Sequence, residues 1–275
     1  MGKKKILYVS QEITPYTEET TMAQVGSILP QKTQESGKDI RIFLPKFGTI
    51  NERRHQLHEV IRLSGMNLII DDFDHQLIIK VASIQQLRMQ VYFIDNEEYF
   101  PKKQMFHDLD GKFMANNDER MIFYCKGVIE TVRKLGWKPD VIHCQGWFSS
   151  LVPMYIKKLY ADDPLFANAK VIYSIFDAGY EGVLSDSITE KLLFEDLDKN
   201  DLKWLDDSTF VNLNKFAIDY ADAVIQGSEQ IDKKITDYIA SSGKPFMEYA
   251  KKNSEKKYLG FYEQFIEEEA LELSE

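Results

Sequence analysis

KKILYVSQ (residues 4–11) and DIRIFLP (residues 39–45) are two apolar runs separated by a segment long enough for a helix. Each is short and apolar without clear alternation, the pattern of a strand buried on both faces. The residues from Met22 to Ser36 between them predict a helix, and Gly37 just beyond is a natural left-handed C′ residue. Strand, helix and strand within about 40 residues, with short connections, make a Rossmann-like opening.

The alternation resumes further along. NNDER (residues 116–120) reads as a helix start, with an asparagine cap and acids in the first turn, where the amide dipoles favour them. Met121, Cys125, Val128 and Val132 carry that helix to Gly136. DVIHC (140–144) predicts a strand, 147–160 a helix, VIYSI (171–175) a strand, 211–220 a helix, AVIQ (223–226) a strand and 228–240 a helix. Residues 57–95 differ. LHEVIRL (57–63), LIIKV (77–81) and LRMQVYFI (87–94) predict three strands with no helix between them, punctuated by Gly65 and DDFD (71–74). Such spacing implies antiparallel hairpins attached to the parallel sheet. The fold class expected is α/β: a doubly wound, mostly parallel Rossmann-like sheet with an antiparallel hairpin extension.

This domain is expected to span residues 1–240, with 241–275 as a helical tail. SSGKP (241–245) breaks the pattern, KKNSEKK (251–257) reads as a solvated face, and FYEQFIEEEALEL (261–273) as an amphipathic helix. Its stripe of Phe261, Phe265 and Leu271 either packs back on the domain or docks on a partner.

The 275 residues are 44% apolar and 12% aromatic, enough for a substantial core. With 34 basic against 44 acidic residues the net charge is −10, which repels a phosphate backbone; the basic runs KKK (3–5) and Arg53-Arg54 are too short to reverse that, so no nucleic-acid partner is expected. Cys125 and Cys144 form neither a disulfide framework nor a metal array and suit a reducing compartment. The first residues reach polar and acidic positions after a very short apolar run, and no stretch approaches a membrane span, so the cytoplasm is the expected location. His55, His58, His75 and His107 have no partners at zinc spacing, and DDFD (71–74) and DLDG (108–111) read as polar turns. Neither a metal nor a cofactor is expected.

Several motifs then follow one another in a telling order. They are EITPYTEETTMAQV (12–25), PKFG (45–48), LGWKPDVIHCQGW (135–147), SSLVPMYIK (149–157), YSIFDAGYEG (173–182) and KFAIDYAD (215–222). This succession resembles the glycogen and starch synthases that use a nucleotide-glucose donor, from Lys5 to about Ile235. The resemblance implies the N-terminal, acceptor-side half of a two-domain GT-B glycosyltransferase. The family's activity is transfer of glucose from ADP-glucose to an α-1,4-glucan.

The departures fall where that family's chemistry sits. In its E-x-x-P-x-x-K-x-G-G pattern the phosphate-contacting lysine lands on Glu18 and the paired glycines on Thr20 and Thr21. A carboxylate repels a diphosphate, and two β-branched residues obstruct the backbone approach that glycines allow. The aspartate of its N-D-W motif becomes Gly146, and the histidine of its H-N-x-x-Y-x-G motif becomes Phe176, which neither donates nor accepts. The family's donor-binding half would begin about where this chain stops. The expected function is therefore a synthase-like domain without independent catalysis, binding an α-glucan or oligosaccharide or regulating a synthase. Two alternatives stand beside it: an active transferase completed by a separate donor-domain chain, and a non-enzymatic scaffold working through its terminal helix.

For a ligand cleft the sequence offers the rings of Tyr16, Phe47, Trp147 and Tyr180, on which sugar faces stack, together with Asp177 beyond a strand end. Glu12 either contacts a sugar hydroxyl or serves in helix capping or loop packing, and His143 is either a ligand or base or a hydrogen-bonded strand-end residue. Catalytic residues are not expected.

Overall fold

A computed structural model describes residues 2–101, 103–193, 197–250 and 255–272, with side chains as far as residue 266. In chain order the elements are β1 (Lys5–Ser10), α1 (Thr21–Glu35), β2 (Asp39–Pro45), α2 (Glu52–His55), β3 (His58–Glu59), β4 (Met66–Ile70), β5 (Phe73–Ile84) and β6 (Met89–Asp95). There follow α3 (Asn117–Leu135), β7 (Val141–Gln145), α4 (Val152–Lys158), β8 (Lys170–Ile175), α5 (Ile188–Leu193), α6 (Phe210–Tyr220), β9 (Ala223–Gln226), α7 (Lys233–Ser242), β10 (Phe246–Met247) and α8 (Glu255–Glu272).

The strands form one sheet in the order β10-β9-β8-β7-β1-β2-β6-β5-β3, with β4 paired to β5. From β10 to β6 every neighbour is parallel, and β3, β4 and β6 all run antiparallel to β5. The fold class is thus the mostly parallel Rossmann-like sheet with an antiparallel extension that the sequence predicts. β1 lies between β2 on one side and β7 on the other, so the chain winds outward in both directions from it. A crevice opens at such a reversal, beyond the carboxyl ends of the strands. Four of the five residues of β7 are at least partly apolar in character, yet all five are buried, as a central strand covered by helices on both faces requires.

Local chemistry accounts for the boundaries. Asp71 and Asp72 both take left-handed dihedrals, φ 49° and 64°, and close the two-residue β4–β5 hairpin. Aspartate tolerates that region better than most residues, so the polar turn expected at DDFD is present. Gly136 ends α3 at φ 60°. Gly26 lets α1 lie against the loop after β1, since a Cβ there would come within 2.5 Å of the Glu12 carbonyl.

Four expectations need correction. The strand expected at 57–63 is only His58–Glu59, because residues 60–64 turn through Val60 backbone bonds to Leu63 and Ser64. β4 lies beyond Gly65, outside the three strands expected between residues 57 and 95. The helix expected at 147–160 is a single 3₁₀ turn, Trp147–Ser149, followed by α4, whose start is set by Pro153 in its first turn. The helix expected from 228 begins at Lys233, capped by Asp232 through the Lys234 amide.

The final segment joins this framework. β10 adds to the sheet beside β9, and α8 lies against α1 and β7. Tyr258, Phe261, Tyr262, Phe265 and Ile266 are buried there, so Phe261 and Phe265 pack inward. Lys256 and Lys257 are exposed, whereas residues 251–254 of the expected solvated face, and the side chain of Leu271 from the expected stripe, lie outside what is described. The same holds for the side chains of 267–273.

Candidate functional site

The loops after β1, β7, β8 and β9 converge at the carboxyl ends of the central strands. Two hollows lie there, separated by a small hairpin in which His107 bridges Phe113 and the Asp108 carboxylate accepts from the Asp110 and Lys112 amides. That is the turn expected at 108–111. One hollow, about 600 Å³, is lined by Tyr16, Glu18, Asn51, Arg54, His55 and His107 among others. The other, about 790 Å³, is lined by Phe113, Asp177, Tyr180, Glu181, Phe210 and Asp232 among others, and shares His107.

Of the residues expected in a cleft, Tyr16, Asp177 and Tyr180 line these hollows. Tyr16 is mostly buried, edge-on to Phe93 at 4.9 Å and to His55 at 5.0 Å, and burial pushes its hydroxyl up to about 12. Asp177 is exposed and accepts from the Ser228 hydroxyl at 2.7 Å. Tyr180 donates to the Ser208 carbonyl at 2.7 Å, and burial raises its pKa.

The other four stand back from the crevice. Phe47 is fully buried among Phe100, Phe106 and Phe148. Trp147 is buried behind Tyr180, with ring centroids 5.0 Å apart. His143 sits wholly inside the protein between the Tyr262 hydroxyl at 2.6 Å and the Ser174 hydroxyl at 2.5 Å. Desolvation lowers its pKa to about 3, so it is neutral and occupied on both nitrogens. Glu12 is buried as well and is held inside the loop.

That loop ends at the N-terminus of α1. Thr20 is the N-cap: its Oγ1 accepts from the Ala23 amide at 3.0 Å and donates to Glu12 Oε2 at 2.5 Å. The Gln11 side-chain amide donates to Glu12 Oε1 at 3.2 Å, and Gln11 Oε1 accepts the Phe148 amide at 3.1 Å. A carboxylate from the chain itself thus stands behind the hydroxyl that caps the helix, where amide dipoles favour negative charge. Glu18 and Thr21 are exposed at the loop's outer edge. Thr20→Ala is expected to cost about 1 kcal/mol from the lost cap, and more if Glu12 keeps no donor on Oε2; chemical denaturation against the wild type measures it.

Gly146 has φ 83° and ψ 162°, and a Cβ there would meet Gln11 Oε1 and Met22 Sδ, each at 2.7 Å. The space of a side chain at 146 is already filled. Phe176 is buried with its ring over Gly227, 2.6 Å from where a Cβ at 227 would stand. Both cysteine thiols are buried and pushed up by desolvation, which keeps them protonated. Among the described residues no three His, Cys, Asp or Glu side chains are grouped to hold a metal ion, and no helix is long and apolar enough to cross a membrane.

Sequence reasoning passed over Phe113, Phe210 and Asp232, which come from the 104–113 hairpin and the starts of α6 and α7. The only signal for Phe113 is its place just after the DLDG turn, which returns it toward the strand ends.

Known proteins share both sequence and architecture with this chain. The profile of the family described as "Starch synthase catalytic domain" matches residues 5–244. A glycogen synthase of Chlorobium luteolum is 39% identical over 194 residues, 70% of this chain and 40% of that protein. A glycogen synthase of Chlorobaculum parvum is 34% identical over 243 residues, 86% of this chain and 48% of that protein. The chain therefore spans less than half the length of these curated relatives. Among solved structures, the catalytic domain of starch synthase IV from Arabidopsis thaliana, bound to ADP and acarbose, superposes with a TM-score of 0.71 at 18% identity, over 90% of this chain and 51% of that one. That likeness agrees in fold with the N-terminal half of a GT-B architecture. With a profile covering most of its length and relatives above 30% identity, this chain belongs to the starch synthase catalytic domain family.

Proposed function

We propose that this chain is an acceptor-side synthase domain that binds an α-glucan in the crevice and does not transfer glucose by itself. One observation carries the reading: the N-terminus of α1 is filled from within by the connected side chains of Thr20, Glu12 and Gln11. A sugar-linked diphosphate needs cations or free amide donors at such a place. Here it would meet Glu12 behind the cap and Glu18 beside it, each a like charge.

The crevice retains what a neutral sugar uses. Aromatic faces, carboxylate acceptors and an amide side chain surround the hollow at Tyr180. Glucan would enter as ligand, and a donor domain on another chain is the partner that could complete a transferase.

The purified chain, given labelled ADP-glucose and glycogen, is expected to incorporate no label above a protein-free blank. Isothermal calorimetry with maltoheptaose is expected to give saturable binding in the millimolar range or tighter. Label transfer by the chain alone would overturn the catalytic half of this reading, and no saturation at tens of millimolar would overturn the binding half. Transfer appearing only after a separately expressed donor domain is added would favour the two-chain transferase.

A further inference from the structure

The two hollows differ in charge. Arg54 lines the one beside Tyr16, together with Glu18 and Asp108. Among the described residues no lysine or arginine lines the one beside Tyr180, which carries Asp177, Glu181 and Asp232. Among the described residues none of these three carboxylates is in an ion pair. Each keeps acceptor capacity: Asp177 Oδ1 takes the Ser228 hydroxyl, Asp232 Oδ1 takes the Lys234 amide, and the second oxygen of each remains for a ligand.

The floor of this hollow is built and fixed. Phe113 and Tyr180 stack at 5.0 Å with 22° between their planes, and Phe210 meets Tyr180 edge-on at 5.8 Å. Trp147 supports Tyr180 from behind, while the Tyr180 hydroxyl is spent on Ser208. Gly179 makes room for Phe210, whose ring is 2.9 Å from where a Cβ at 179 would stand. Rings held in this way offer an apolar face for the C–H side of a pyranose. The carboxylates around them accept from its hydroxyls.

From this arrangement we infer that the hollow at Tyr180 is a selectivity site, which takes an uncharged sugar unit and rejects one bearing phosphate or carboxylate. The inference rests on reading the crevice as a glucan site and adds the class of glucan. A sugar hydroxyl donates to a carboxylate in a charge-assisted bond. A phosphate monoester at neutral pH brings acceptors and negative charge, so it pairs with none of the three acids and is repelled by all. Water in the open hollow moderates that repulsion without removing it, because the groups lie within about a Debye length, ~10 Å at 0.1 M salt, of any bound unit.

The test is calorimetric titration of the full chain with maltoheptaose and with maltoheptaose phosphorylated at its 6-hydroxyls, at 20 mM and 500 mM NaCl. The phosphorylated ligand is expected to bind at least about ten-fold more weakly at low salt, with the gap narrowing several-fold at high salt. The double variant Glu181→Gln, Asp232→Asn should narrow the gap in low salt as well; asparagine preserves the cap of α7. Tyr180→Ala should weaken both ligands. Equal or tighter binding of the phosphorylated ligand at low salt would overturn the selectivity while leaving the glucan site standing, as would a gap that neither salt nor charge removal alters. Failure of both ligands to bind would sink the glucan site and the selectivity together.

Discussion

Tyr262→Ala is expected to lower the stability of this protein by about 3–5 kcal/mol, read as an earlier midpoint in urea. Tyr262 is fully buried on α8, edge-on to His143 with ring centroids 5.7 Å apart. Truncation leaves a cavity between α8, α1 and β7. It also removes the partner of His143 Nδ1, 2.6 Å away, inside a region that water does not reach. The two losses separate experimentally. Tyr262→Phe keeps most of the volume and removes only the hydroxyl, so it should cost about 1–3 kcal/mol, the usual penalty for an orphaned buried polar group. A midpoint unchanged by Tyr262→Ala would mean that α8 is not part of the folded core.

The same contact makes stability depend on pH. Burial holds the pKa of His143 at about 3, against about 6.5 in an unfolded chain. Between those values the unfolded chain binds the extra proton and the folded one does not. The contribution of His143 is therefore complete above about pH 6.5 and is lost as pH falls toward 3, by up to about 1.4 kcal/mol per unit. His55, also lowered, by burial first and Arg54 second, acts with the same sign. Comparing urea unfolding at pH 7.5 and 5.5 for the wild type and His143→Asn isolates the buried residue: the variant should show the shallower dependence.

What could be read from the sequence divides along physical lines. The buried parallel strands were legible because covered faces demand largely apolar runs such as ILYV and VIYSI, and glycine at 37 and 136 marked helix ends. The register and length of β3–β5 were not, because strands half exposed to water tolerate polar residues, and Asn67 or Gln76 carries no strand signal of its own. Site composition followed a similar rule. Tyr180 and Asp177 announce themselves by sitting just past a strand, whereas Phe113 and Phe210 reach the hollow only through the folding of loops between elements. His143 was ambiguous in sequence because its partner, Tyr262, lies 119 residues away on α8. The alternatives for Glu12 were also open until the loop geometry placed it behind Thr20 rather than in the crevice.

Restoring the family's aspartate by Gly146→Asp is expected to destabilise the chain by about 3–5 kcal/mol and to yield no glucose transfer. The backbone contributes first: φ 83° with ψ 162° belongs to a region that residues other than glycine occupy at a cost of about 1–3 kcal/mol. Sterics add to it, since the new Cβ would stand 2.7 Å from both Gln11 Oε1 and Met22 Sδ. Met22 has the freedom to shift, but Gln11 cannot leave without releasing the Phe148 amide and the Glu12 carboxylate that it holds. Thr20, Glu12, Gln11 and Gly146 are therefore one contact chain, and the departures at 20 and 146 support each other through the two residues between them. A cycle pairing Thr20→Ala with Gln11→Ala should show coupling of about 0.5–3 kcal/mol, as residues of one hydrogen-bond network do, rather than simple addition. Strict additivity, or a Gly146→Asp protein as stable as the wild type, would show that the loop repacks freely. The helix N-terminus would then be open to an anion after all, and the case for a chain that holds glucan without transferring glucose would lose its physical basis.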